Sequence, residues 1–172
     1  MGRSENQPHR APEAAPADPA EESTAPEYRS YTRHLDSLAA AAGQPDEAGV
    51  VAAVLRDGDP VTAESAVVTH LDRRAVKLLD DERFPGWARA MEDVLRGRVF
   101  PVRRLHEWNL LKSITVGEPW SPQQLTGASD WCQRTAVALL TSYEALHLLA
   151  SAARTRRVRN AAAQRLRRLP EG

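Results

Sequence analysis

The chain has 172 residues with 23 basic and 23 acidic side chains, so it is formally neutral, and 42% of its residues are hydrophobic. That length suits one domain with a real core plus a tail, and the neutrality excludes a protein that is basic or acidic throughout. A single cysteine, Cys132, excludes an internal disulfide or a multi-cysteine zinc site.

Residues 1–27 contain no Leu, Ile, Val, Phe or Trp, and Pro8, Pro12, Pro16, Pro19 and Pro26 fall among alanines and acids. Such a segment cannot bury enough apolar surface to offset its ordering entropy. The composition predicts a disordered tail over 1–27 and a single helical domain over 28–169. No run approaches the roughly 20 apolar residues that span a bilayer, and the start has no apolar signal core. The expectation is a cytoplasmic chain without a membrane partner. Only Lys77 and Lys112 are lysines among the basic residues, a usage that fits a GC-rich bacterial genome.

Alternating β-branched runs are nearly absent and helical spacing recurs instead. Tyr31, Leu35, Leu38 and Ala42 form a first stripe closed by Gly43. Asp46 is positioned to cap a second helix with Val50, Val51, Val54 and Leu55 inward. The turn Asp57-Gly58-Asp59-Pro60 precedes a longer helix with Ala66, Val67, Leu71, Val76, Leu78 and Leu79 as apolar positions. Trp87, Met91, Val94 and Leu95 follow at helical spacing, and Gly97 stops that helix. Pro101 can begin the next, carrying Val102, Leu105, Trp108 and Leu111. Ser121-Pro122-Gln123-Gln124 reads as a capping box, in which hydroxyl and amide satisfy each other's free backbone donors. A long apolar segment then runs over 129–153.

The last segment, 154–169, holds Arg154, Arg156, Arg157, Arg159, Arg165, Arg167 and Arg168 and no acid. Residues 101–172 carry 11 basic and 5 acidic side chains, against 12 and 18 in residues 1–100. At about 100° per residue, counted from Arg154, Val158, Ala162, Leu166 and Leu169 fall within about 40–120°, and every arginine lies off that arc. Leu139, Leu146 and Leu149 fall on the opposite side. That reversal predicts a helical hairpin with arms over about 129–152 and 155–169. The pattern as a whole predicts an all-α fold of six or seven helices packed as antiparallel hairpins, solenoid-like or as an irregular bundle.

Two stretches resemble HEAT-type helical repeats. One is Asp57-Gly58-Asp59-Pro60-Val61 running into Glu64-Ser65-Ala66-Val67-Val68, with Leu71 following. The other is Arg157-Val158-Arg159-Asn160-Ala161-Ala162 with Leu166. In the first, Thr62 and Ala63 stand where a Val-Arg pair is usual, and the stretches are joined by no clear repeat of about 40 residues. The resemblance covers residues about 46–74 and 143–169 and implies a protein-binding scaffold without catalytic residues.

The seven arginines are the candidate binding face: guanidinium groups pair bidentately with carboxylates and phosphates. The plainer alternative is a solvated face, or one paired with acids from residues 46–93. Trp120, in a Gly/Pro loop, either plugs a groove between helices or is exposed as a further contact. Ser121 to Leu140 also admits a helix-turn-helix reading with Gln133, Arg134 and Thr135 toward base edges, but its spacing is about three residues short, and Ala136-Val137-Ala138-Leu139-Leu140 is too apolar for an exposed helix. Cys132 reads as a buried structural thiol. The five histidines show no metal-ligand spacing, Asp80-Asp81-Glu82 is an isolated acid cluster, and no nucleophile or phosphate-loop motif occurs. The expectation is a non-enzymatic module without cofactor that binds a protein partner; a small nucleic-acid-binding regulator using the same arginines is the alternative.

Overall fold

A computed structural model describes residues 26–169, and these are all-α. Nine helices occur among them: α1 (Pro26–Ala41), α2 (Glu47–Val54), α3 (Pro60–Leu78), α4 (Phe84–Val94), α5 (Val99–Val116), α6 (Pro122–Gly127), α7 (Asp130–Leu139), α8 (Tyr143–Ala152) and α9 (Arg156–Leu166). The expected tail lies outside the described residues, except that Pro26 and Glu27 belong to α1.

Most boundaries follow local chemistry. Gly43, Gly97 and Gly117 take positive φ after α1, α4 and α5, where a side chain would be strained. Asp59, Ser121, Ser129, Ser142 and Thr155 cap α3, α6, α7, α8 and α9 by accepting backbone N–H groups, and Ser121 and Gln124 form the reciprocal box read from the sequence. Three details differ from expectation. Asp46 makes no side-chain cap; its carboxylate folds over Gly49, where a Cβ would collide with it. Val76 is exposed. The segment predicted as one arm over 129–152 is two helices, because Leu140 is extended (ψ 147°) and Ser142 restarts the chain as an N-cap. This division, together with the short α6 as a helix of its own, carries the count to nine among the described residues, past the six or seven expected.

The odd-numbered helices stack in series: α1 on α3, α3 on α5, α5 on α7 and α7 on α9. Beside them α2 packs on α4 and α6 on α8. One continuous apolar core runs between the layers, from Leu38 and Val51 through Leu71, Trp108 and Leu111 to Leu146, Val158 and Ala162.

Two buried polar clusters tie successive layers together. Glu47, at the start of α2, is almost fully buried. Its Oε1 accepts from Arg74 Nε (2.9 Å) and Trp87 Nε1 (3.1 Å) and lies 2.8 Å from His70 Nε2. Its Oε2 accepts the Gly43 N–H at 2.8 Å. In the second cluster, Asp72 of α3 accepts from Arg104 Nη1 (2.6 Å) and Trp108 Nε1 (2.8 Å) of α5. The Arg104 guanidinium carbon lies 3.5 Å from the centroid of the Trp131 ring on α7, and Trp108 meets Trp131 edge to face.

Burial alone would raise the Glu47 pKa, but hydrogen bonds from His70, Gly43 and Arg74 outweigh it and hold the carboxyl at about 2, below its ordinary 4.5. The carboxylate therefore contributes stability in full above pH 4.5, and the contribution fades as pH falls toward 2. Its size is on the order of 3 kcal/mol. Glu47→Ala strands four donors, Gly43 N–H, His70, Arg74 and Trp87, and is expected to lower unfolding free energy by about 3–5 kcal/mol. Urea denaturation at neutral pH and near pH 3 checks both statements: the variant should lose much of its deficit at the lower pH.

Candidate binding face on the C-terminal helix

α9 is docked as the apolar stripe requires. Val158 is 1% exposed and Ala162 fully buried, while Leu166 and Leu169 are half-buried against the core. Thr155 Oγ1 accepts the Val158 N–H, and α8 and α9 form a tight hairpin across the turn between them. The hairpin's first arm is α8 alone, since the longer arm is broken at residues 140–142.

The seven arginines divide into two groups. Arg154 donates its backbone N–H to Gln133 Oε1 (2.9 Å), and its guanidinium reaches the Ala128 carbonyl. Arg159 Nη1 donates to the Ala153 carbonyl at 2.6 Å, and Arg165 Nη1 to the Ala138 carbonyl. These three close the carbonyl ends of α6, α8 and α7, which an α-helix leaves without internal partners. Arg156, Arg157, Arg167 and Arg168 are exposed, and none makes a side-chain hydrogen bond or ion pair among the described residues.

The division follows from angle. On the same wheel the docked stripe centres near about 75°, whereas Arg156 and Arg167 fall near about 200–220° and Arg157 and Arg168 near about 300–320°. The four thus straddle the direction opposite the core. Asn160 and Gln164, both exposed, lie between them. The outward face is Arg156, Arg157, Asn160, Gln164, Arg167 and Arg168, and the chain has no acid between Glu144 and Glu171.

Acids of residues 46–93 do not neutralise this face. Glu47 pairs with Arg74, Glu64 with Arg98, Asp72 with Arg104, Asp81 with Arg83, Asp93 with Arg96, and Glu92 faces His106. Asp130, nearer to α9, pairs with Arg134 and accepts from Thr155. An open groove of about 450 Å³ runs beside the face between α7 and α9, lined by Val137, Ala138, Ala161, Gln164, Arg165 and Arg168 among others.

Trp120 is half-buried and lines a different groove of about 430 Å³ with Tyr143, His147 and Leu148, between the approach to α6 and α8. None of the seven arginines borders it. Gln133 is fully buried: its amide donates to the Leu125 and Thr126 carbonyls and accepts from Arg154 N–H. It is therefore a structural bolt between α6, α7 and the α8–α9 turn and is not available to base edges. Cys132 is buried as expected, and burial, reinforced by the nearby Glu107 charge, pushes its thiol up to about 12. Among the described residues no group of three or more His, Cys, Asp and Glu side chains is placed to hold a metal ion, and no helix is long and apolar enough to cross a membrane.

Compared with protein-family models, curated proteins and solved structures, the chain has no match.

Arg165→Ala is expected to cost about 1 kcal/mol, since it uncovers the end of α7, while Arg167→Ala stays within about 0.5 kcal/mol. Paired thermal melts check the division. Equal losses in the two variants would contradict it.

Proposed function

We propose that the protein is a non-enzymatic helical interaction module that holds an anionic partner on the outward face of α9. The observation that carries this reading is the set of four arginines with no acceptor among the described residues, displayed at the start of α9 and just past its end, while the segment's other three arginines are spent on fixing it. A surface of like charges left unpaired costs some self-repulsion, which an anionic partner relieves. A docked helix also presents the guanidinium groups in fixed register, so less freedom is lost on binding than from a loose basic tail.

The absence of chemistry is part of the same proposal. Three groups that could serve as nucleophile or base are committed elsewhere: Cys132 is buried with a raised pKa, His70 is held by Glu47, and His34 faces Asp57. Kinship with HEAT-type repeats, read on the α2–α3 turn and on α9, also belongs to the proposal; helical content is common to repeat and non-repeat folds. A cytoplasmic setting fits a helical module of this kind.

A second reading keeps the arginines as solvated charge and assigns partner binding to the groove of Trp120 and Tyr143. The 66% exposure of Tyr143 favours it, because an aromatic ring left in water is a common contact residue.

A formally neutral chain is retained by a polyanionic matrix only if its positive charge is concentrated. The native protein is expected to bind immobilised heparin at low ionic strength and to elute as salt rises. Reversing Arg156, Arg157, Arg167 and Arg168 to Glu should abolish retention without loss of helicity. Flow-through of the native protein at low salt defeats the α9 reading and leaves the Trp120 groove.

A further inference from the structure

We propose that the anionic partner is duplex DNA and that α9 lies in its major groove, with an arginine pair toward the backbone at each end and two amides toward the bases in the middle. The proposal rests on the interaction-module reading above and gives its partner a class.

Three observations carry it. The first is spacing. Arg156 and Arg157 open α9, and Arg167 and Arg168 follow its last residue, Leu166, as its C-cap and the turn residue after it, 11 residues on and about 16 Å along the continued helix axis. A helix about 10–12 Å across fits a major groove about 12 Å wide, and side chains at its two ends then reach the phosphates on either wall. The second is the middle of the face. Asn160 and Gln164 are the two exposed polar side chains between the arginine pairs. Their amides present a donor and an acceptor side by side, the pattern that matches the N6 and N7 edge of adenine. Arginine itself matches the O6 and N7 edge of guanine, so every side chain on the strip has an acceptor on the duplex.

The third observation is what the face lacks. Protein interfaces gather aromatic and large apolar side chains at their centre. The outward strip of α9 holds none. The exposed large apolar residues among those described are Tyr28, Val61, Val76, Val99, Phe100, Val116 and Tyr143, all on other helices. An acidic protein would meet on α9 a purely ionic contact of exposed pairs, each worth little. A polyphosphate backbone turns the same arginines into counterion release, which gains from every contact. B-form DNA is favoured over duplex RNA because the major groove of A-form RNA is too narrow and deep for a helix carrying these side chains.

The test uses the full chain and a fluorescent mixed-sequence duplex, with anisotropy read between about 50 and 200 mM salt. Four phosphate contacts predict an affinity loss of about 100-fold over that interval, from a slope of about 0.9 per contact. Replacing Arg156, Arg157, Arg167 and Arg168 with Ala should remove most of that salt dependence with the circular dichroism and melt unchanged. The pair Arg156→Ala and Arg157→Ala alone should halve the slope, which keeps the test open if the fourfold variant folds poorly. Asn160→Ala with Gln164→Ala should leave affinity for the mixed duplex within about twofold and erase any preference among sequences selected from a random pool. Absence of binding at the lowest salt, a slope that the arginine variants leave intact, or equal affinity for duplex RNA would each overturn the proposal. Poly-glutamate in place of DNA separates the two levels: retention of poly-glutamate with no DNA binding overturns the DNA assignment and leaves the anionic-partner reading standing, whereas binding of neither overturns both.

Discussion

The constraint on which the rest of this structure depends is the closing of carbonyl ends. A chain cut into many short helices exposes four unpaired carbonyls at each C-terminus, and a compact stack leaves little water to satisfy them. Long basic side chains do it here. Arg98 donates to the Leu55 carbonyl after α2, and Lys112 to the carbonyls of Leu79 and Asp81 after α3. Arg154, Arg165 and Arg159 do the same after α6, α7 and α8. Except for Arg159, which closes the end of its own hairpin, each donor reaches well beyond its local stretch of chain. The cap is therefore also a tie, and the partial negative charge of the helix end strengthens it.

Polar ties of a second kind set which helix meets which. Apolar packing between layers is tolerant of sliding, because many registers bury similar area. Glu47 is not tolerant: its two oxygens accept from the α1–α2 turn, α3 and α4 in one arrangement. Asp72 continues the series, joining α3 to α5, where Arg104 is stacked on Trp131 of α7. Gln133 ends it, holding α6 and the α8–α9 turn to α7. A slip of one turn at any of these points would leave buried donors or a buried charge unpaired, at a cost of several kcal/mol. The orientation of α9 at the far end is thus inherited from contacts made along the whole stack.

What could be read beforehand divides along the same line. Signals carried by near neighbours in the chain were legible: the stripes of Leu38, Val51, Leu71 and Met91, the Ser121–Gln124 box, the stops at Gly43 and Gly97, and the docking of Val158 and Ala162. Signals that depend on a distant partner were not. Residues 129–152 are apolar on both sides of the break, so periodicity could not show that Ser142 begins a new helix. Asp46 has the right type for a cap, but its carboxylate turns over Gly49 instead. Gln133 could be placed toward base edges in a helix-turn-helix reading because nothing local reveals that the carbonyls of Leu125 and Thr126 turn toward it. The seven arginines posed the same problem. Their positions off the buried arc were visible, but which of them faced a carbonyl of another helix depended on where α6, α7 and α8 end.

That partition sharpens the meaning of the basic segment. A cluster of arginines in sequence suggests one electrostatic object, with every charge contributing alike. In space, Arg154, Arg159 and Arg165 are consumed within the fold and hold the helix to its neighbours, while Arg156, Arg157, Arg167 and Arg168 remain at the side opposite the core. Two of the inner residues, Arg159 and Arg165, are spaced at six, against eleven between the outer pairs, so one helix serves both tasks without a conflict of angle. The outer four gain from the inner three: a guanidinium on a helix that is pinned, capped and docked samples fewer positions than one on a tail, and its charge stays aimed in one direction. Several acids of the first half, Glu47, Glu64, Asp72 and Asp81 among them, are paired with cations of their own, and among the described residues no acid is bonded to the outer four arginines, so the protein's overall neutrality does not cancel this field locally. A chain with zero net charge can in this way present a positive surface around one helix, because the sequence holds no acid between Glu144 and Glu171.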